Sequence, residues 1–430
     1  MLAIHSKRPE PAVVAVSTLD TKGPETAYLA ERIRQGGLEV LVVDCGVLGE
    51  PLGITPDISH ESVAEAAGST LGAVRSIGTR GAAVEIMARG LSRILVDLHA
   101  DGRCGGVVAL GGAEGAVMAA QAMQALPLGV PKLIVTPVAA GRRTFGPFVG
   151  LRDVMLMHSV VDILGLNSVS RAIFDNAAGA ISGMARARAA RPAEPGRERL
   201  VGITMLGNTT PAVMRIAAGL KAAGLTPLIF HSNGVGGPCM EEMIAQGRLV
   251  GVIDFTTNEL TDELVGGIYA AGPDRLDAAA RHGVPQVVVP GCADFFVAGP
   301  RESVPPQWRA RPQYHHNPVF TLIRASREEM AAVGRIMAAK LGASRGPVAV
   351  AVPLGGLSIP NTPGGVFHDP EADAAFLAAL RRDLRRDIPV VEVPAHINAP
   401  RFAETVLDLF LRLVRAPAAG GRVVAEPRDA

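Results

Sequence analysis

The chain has 430 residues, 48% of them apolar but only 4% aromatic, and its 42 basic residues stand against 41 acidic ones for a net charge of +1. That balance supplies no field to draw nucleic acid or a membrane surface, and 19% charged residues beside so large an apolar share exclude extensive disorder. At roughly 100–200 residues per domain the length asks for two or three domains, with a core of Ala, Val, Leu and Ile packed close on Gly, as in α/β proteins.

The first strand is predicted at Ala12–Val16, followed by a polar turn, Ser17–Pro24. A helix runs from Glu25 to Gln35, with small or apolar residues at Ala27, Leu29, Ala30 and Ile33, and Gly36-Gly37 stops it. Leu38–Val43 is a second buried strand, and the order strand, helix, strand implies a right-handed parallel crossover. Further strands fall at Gly106–Leu110 and Leu133–Val135, and Ser170–Met184 is helical. Ala185–Arg199 is charged, contains proline and lacks periodicity, so it reads as a linker between domains at 1–184 and 200–415. The second half opens with strand Leu200–Met205. It continues to strands near Val348–Val352 and Val390–Val393 and a helix over Ala403–Val414, and a loose tail follows, Ala416–Ala430.

The two halves echo each other. Val14–Pro51 aligns without a gap on Val201–Pro238, placing Leu19 on Leu206, Pro24 on Pro211 and Gly37-Leu38 on Gly224-Leu225. Gly106–Leu110 matches Gly251–Phe255, and Leu133–Val135 matches Val287–Val289. Three matches in the same order predict two α/β domains with mainly parallel sheets of similar topology.

The N-terminus carries no sustained apolar segment with a cleavage site, and the longest uncharged stretch, Gly346–His368, is too rich in Pro and Gly to span a membrane. The four cysteines are far apart and form no CxxC pair. A reduced cytoplasmic protein without a structural zinc site or other metal centre is expected.

In an open parallel sheet, ligands bind beyond the carboxyl ends of the strands. Gly111-Gly112-Ala113-Glu114-Gly115 lies there, and it reads equally as a phosphate cradle of backbone N–H groups or as a tight turn that needs glycine for packing. Glu114 would repel phosphate unless a divalent cation came between. Thr18, Asp20 and Lys22 follow the first strand, where Thr18 and Asp20 could equally cap a helix and Lys22 could pair with phosphate or carboxylate. Gly141-Arg142 offers a second cation. In the second half His231, on a Gly-rich loop, is the leading proton-transfer candidate, with His316 as the alternative. Glu259 reads as an acid–base group or magnesium ligand, or as a plain helix N-terminal carboxylate. The ligand cleft is expected between the domains, with strand-end loops of both halves facing it.

Taken together, several stretches resemble one family, which includes the N-terminal inhibitory domain of the tomato mosaic virus resistance protein. They are Ser17–Glu25 (STLDTKGPE), Ser159–Asn167 (SVVDILGLN), Phe230–Gly237 (FHSNGVGG), Phe255–Leu260 (FTTNEL), His316-Asn317-Pro318 and His396-Ile397-Asn398. The resemblance implies two Rossmann-like domains, a homodimer or higher oligomer, and binding of ATP with magnesium. One departure stands out: the family loop Gly-Gly-Ser-Gly-Gly-Thr is Gly-Gly-Ala-Glu-Gly-Ala here, at Gly111–Ala116. Three functions follow as expectations. The first is an ATP-binding protein, the second an enzyme acting on a small carboxylate- or phosphate-bearing metabolite, the third a regulatory module without turnover.

Overall fold

The computed structural model describes residues 11–139, 146–191 and 198–415. Gly141, Arg142, the middle of the predicted linker and the predicted tail lie outside them. The chain divides into two compact units, residues 1–194 and 195–430.

The N-terminal unit is built on five parallel strands: β1 (Ala12–Ser17), β2 (Val40–Asp44), β3 (Cys104–Leu110), β4 (Lys132–Thr136) and β5 (Met155–His158). Their spatial order is β2-β1-β3-β4-β5, with Val14 opposite both Leu41 and Val107. Both β1 and β3 are buried along their whole length, as continuous apolar runs covered on both faces should be. The two faces alternate by residue. Val13 and Ala15 pack with Leu29, Ile33 and Phe174 of the helices Leu19–Gln35 and Ser168–Ala189. Val14 and Val16 pack with Leu91 and Met123 of the helices Arg80–Ala100 and Ala113–Gln124.

Two boundaries differ from the sequence expectation. The first helix begins at Leu19 rather than Glu25, and it is kinked at Lys22, whose φ of −129° and ψ of 20° are not helical. Pro24 explains the kink: it has no N–H to donate, and its ring keeps the neighbouring backbone out of regular helix. Gly23 is required there, because a Cβ would overlap the carbonyl oxygen of Leu52, where the segment after β2 crosses the helix. The helix Ser168–Ala189 also runs five residues into the expected linker. A capping box formed by Asn167 and Ser170 starts it, and the Ala- and Arg-rich run Ala185–Ala189 favours its continuation.

The C-terminal unit carries six parallel strands: β6 (Leu200–Met205), β7 (Thr226–His231), β8 (Gly251–Thr256), β9 (Gln286–Gly291), β13 (Val348–Pro353) and β14 (Val390–Val393). Their order is β14-β13-β9-β8-β6-β7. Numbered within the unit and read from β7, that is 2-1-3-4-5-6, the order of the first unit with one strand added. The expected correspondences fall on β1 and β6, β2 and β7, β3 and β8, and β4 and β9. Between β9 and the helix Arg327–Gly342 lies a small antiparallel sheet of β10 (Phe295–Ala298), β11 (Gln313–His315) and β12 (Thr321–Arg324). It leaves little trace in the sequence, since three- and four-residue strands carry little periodicity.

Cys45, Cys104 and Cys292 are buried. Burial pushes their thiols up, Cys104 to about 11, so none of the three is a thiolate at neutral pH. Among the described residues no helix is long and apolar enough to cross a membrane.

Candidate functional site

Strand order locates the crevice of the N-terminal unit. The chain leaves β1 toward β2 on one side, while β3 lies on the other, so the segments after β1 and β3 part above the sheet. A cavity of about 350 Å³ opens there. Thr18, Asp20 and Thr21 line it from β1, Cys45 and Val47 from β2, and Glu114 from β3. Arg75, Thr79 and Arg80 enter from the helical segment between β2 and β3, and Val74, Ile77 and Met118 add an apolar wall.

The helix Ala113–Gln124, whose Glu114 and Met118 line this crevice, has Gly112 as its N-cap. Gly111, Gly112 and Gly115 are not themselves among the lining residues, and no side chain caps the helix. Its first amides are therefore left to water or a ligand, at the positive end of the helix. Gly111 and Gly112 differ in kind. A Cβ on Gly111 would lie 2.5 Å from the Ala116 nitrogen, so that glycine serves packing, whereas a Cβ on Gly112 would meet open space. Gly115 is buried, and a Cβ there would stand in ordinary contact with Thr18. Glu114 does not stand alone: its carboxylate lies 3.1 Å from the Arg80 guanidinium, an exposed pair of modest energy.

The start of the first helix is organised differently. Asp44 is buried and accepts hydrogen bonds from the backbone N–H of Leu19 (3.0 Å) and of Gly46 (2.8 Å). Burial pushes its carboxyl up against the pull of those amides and of His60, which lies 3.2 Å away. Asp20 accepts from the Gly49 N–H at 3.2 Å and so holds the segment after β2 over the helix. Lys22 does not line the crevice. It belongs to the kinked turn, and its Nζ reaches Thr21 Oγ1 at 3.4 Å.

In the C-terminal unit His231 ends β7 and His316 follows β11, and both are exposed. The small antiparallel sheet brings them to one hollow of about 50 Å³, together with Asn208 and Tyr269. Glu259 is elsewhere, and the expectation of an acid–base or magnesium role for it is corrected. Its carboxylate is fully buried, bonded to Arg275 Nε at 2.6 Å, and accepts from the N–H groups of Gly234 (2.8 Å) and Gly237 (3.2 Å). A carboxylate so enclosed reaches no substrate. No cluster of three or more His, Cys, Asp or Glu suited to a metal ion occurs among the described residues.

Thr18, Asp20 and Glu114 thus share one crevice, with Gly112 at its helix start, and His231 and His316 share another. Arg75, Thr79 and Arg80 were missed by the sequence reading. Their one signal was Gly78-Thr79-Arg80, a turn glycine followed by an N-cap residue, and Thr79 does cap the helix Arg80–Ala100 by accepting from the Ala82 N–H.

Residues 11–190 match the model of the Uncharacterised protein family (UPF0261) N-terminal domain, and residues 198–414 that of the UPF0261 C-terminal domain. A UPF0261 protein of Clostridium tetani is 38% identical over 392 residues, 91% of this chain and 96% of that one. Another, from Rhizobium meliloti, is 40% identical over 404 residues, 93% and 98% of the two chains. The ToMV resistance protein Tm-1(GCR237) of Solanum lycopersicum is 32% identical over 422 residues, which cover 94% of this chain and 56% of that protein.

Proposed function

The chain belongs to the UPF0261 family through both of its units, and from that footing we propose that its N-terminal unit binds a nucleotide of the ATP type in the crevice between the ends of β1 and β3. The observation that carries this reading is the uncapped helix start at Gly112, placed where strand order opens the sheet. Arg75 and Arg80 supply positive charge beside it, and the wall of Val74, Ile77 and Met118 suits the face of a flat ring. Asp20 and Glu114 add negative charge to the same crevice, which favours a nucleotide accompanied by magnesium over a bare polyanion.

Calorimetric titration with ATP, with and without magnesium, tests this directly. A Cβ at Gly112 would meet no atom within 4 Å, so Gly112→Val is expected to fold. Its affinity for ATP–Mg should fall at least about tenfold, or roughly 1.4 kcal/mol. An unchanged affinity in the folded variant would move the site away from Gly112.

A second reading rests on the meeting of His231 and His316 in one hollow, which suits proton transfer on a small anionic metabolite. Incubation with a metabolite panel separates it from a binding module without turnover. Given a substrate, His231→Asn keeps size and hydrogen bonding but removes the imidazole that would carry the proton, and turnover should drop about 10²-fold. Full turnover across pH 5–8 in that variant would remove His231 from the chemistry.

A further inference from the structure

The two parallel sheets end in the outer strands β2, β5, β7 and β14. An outer strand offers unpaired N–H and C=O groups to any other chain, and proteins guard it with a cover, a proline or a charge. β2 is covered by the segment that follows it: Asp57 and Ile58 donate to the Val42 carbonyl (2.9 and 3.1 Å), and Asp44 donates to that of Ile58 (3.0 Å). β7 carries Pro227. The Thr226 N–H bonds to Arg199 beside β6 (3.0 Å), so the next residue, Pro227, faces outward and has no N–H to offer there. β14 carries the charged Glu392.

β5 has none of these guards. Its sequence, Met155-Leu156-Met157-His158, holds no Pro, Lys or acidic residue, and it pairs with β4 alone. Ser159 donates to the Thr136 carbonyl (3.2 Å), so Met155, Met157 and Ser159 turn their backbone groups to β4. Leu156 and His158 turn theirs outward, where nothing among the described residues receives them. The surrounding chain is apolar. From Val154 to Val169 the one charged side chain is Asp162, and Val160 and Leu164 are 66% and 73% exposed. The C-terminal unit shows what such an edge takes. There β13 holds the place of β5, with β14 paired on its outer side, and β13 is buried along its whole length.

We propose that β5 is an interface between two copies of this chain, which pair antiparallel along it about a two-fold axis at Met157. The segment is complementary to itself. That axis sets Leu156 against His158 of the second copy and His158 against its Leu156, each pair exchanging two hydrogen bonds. With no formal charge on the strand, the copies do not repel. Met157 meets its own counterpart as a non-hydrogen-bonded pair, the Cα atoms about 4.5 Å apart. The interface uses no residue of the nucleotide crevice or of the histidine hollow, so it stands apart from both readings.

The test is sedimentation velocity on the full chain at micromolar concentration, joined to cysteine cross-linking. The natural chain should sediment as a dimer. His158→Pro removes an outward N–H and no bond to β4, and should raise the dissociation constant at least about tenfold. Under mild oxidation Met157→Cys should form a disulfide between copies, since the expected spacing lies within reach of one. Met155→Cys should not, because its counterpart would stand four residues along the strand, roughly 13 Å away. A monomeric natural chain, a His158→Pro dimer of unchanged affinity, or equal cross-linking from positions 155 and 157 would each overturn the proposal. Should His158→Pro lose its native circular dichroism, the two cysteine variants decide.

Discussion

Replacing Arg275 with Met is expected to cost the C-terminal unit about 3–5 kcal/mol, the range for removing one partner of a buried ion pair. Arg275 is fully buried, and its guanidinium serves three carboxylates. It grips Asp254 with two nitrogens (2.5 and 2.7 Å), donates to Glu259 from Nε (2.6 Å) and reaches Glu241 at 3.1 Å. Burial opposes its charge, but Asp254, Glu259 and Glu241 outweigh that and raise its pKa well above the usual arginine value. Burial pushes Glu241 up, yet Arg275 and the N–H groups of Leu276 and Ala278 work to keep it ionised. Met fills the volume and satisfies none of these acceptors. A Lys would keep the charge but not the planar fork, so Arg275→Lys should also lose stability. Urea unfolding followed by circular dichroism measures both variants. A loss below about 1 kcal/mol for Arg275→Met would mean that the carboxylates find other partners.

Asp262→Asn should do the opposite, by an amount that grows as pH rises from about 4 to 7. Asp262 is fully buried, and its Oδ1 accepts from the N–H groups of Val297 (2.9 Å) and Tyr269 (3.2 Å), while Oδ2 has no partner among the described residues. Burial raises its pKa from the ordinary 3.8 to about 7, against the pull of those two amides. The folded unit therefore holds this proton more tightly than the unfolded chain does. The resulting stability is fully present below about pH 3.8 and is lost as pH rises through about 7. At 1.36 kcal/mol per pKa unit the whole swing is about 4 kcal/mol at most. Asn keeps the acceptor for Val297 and Tyr269 and carries no charge. Its advantage over the natural chain should be small at pH 4 and a few kcal/mol at pH 8. Stability profiles that stay parallel from pH 4 to 9 would show that Asp262 does not titrate in this range. Tyr269 and Val297 line the hollow of His231 and His316, so the same titration bears on that site.

Both effects lie in side chains that the sequence did not mark. The sheets were legible because buried parallel strands read as uninterrupted apolar runs, and because glycines punctuate the turns between strand and helix. Val14–Val43 and Val201–Phe230 carry that signal twice, which exposed the common strand order. Thr18, Asp20 and Glu114 were legible through the rule that strand ends face ligands. Arg75 and Arg80 were not, because they ride on helices that tertiary packing brings back over the sheet: Val74, Ala83 and Met87 join the same core as Val14 and Val16. Glu259 was misread for a related reason. A carboxylate in the first turn of a helix looks alike whether it faces solvent or a buried arginine sixteen residues on, and only packing separates the two cases.

The three buried cysteines give the two units separate clocks. Cys45 and Cys104 sit in one core and Cys292 beside another, and a protonated, enclosed thiol cannot react until its surroundings part. The rate at which each is alkylated in native buffer therefore reports the opening free energy of its own unit, on one unmodified chain and without denaturant. A ligand that closes the β1–β3 crevice should slow Cys45, which lies against that crevice, and leave Cys292 at its own pace.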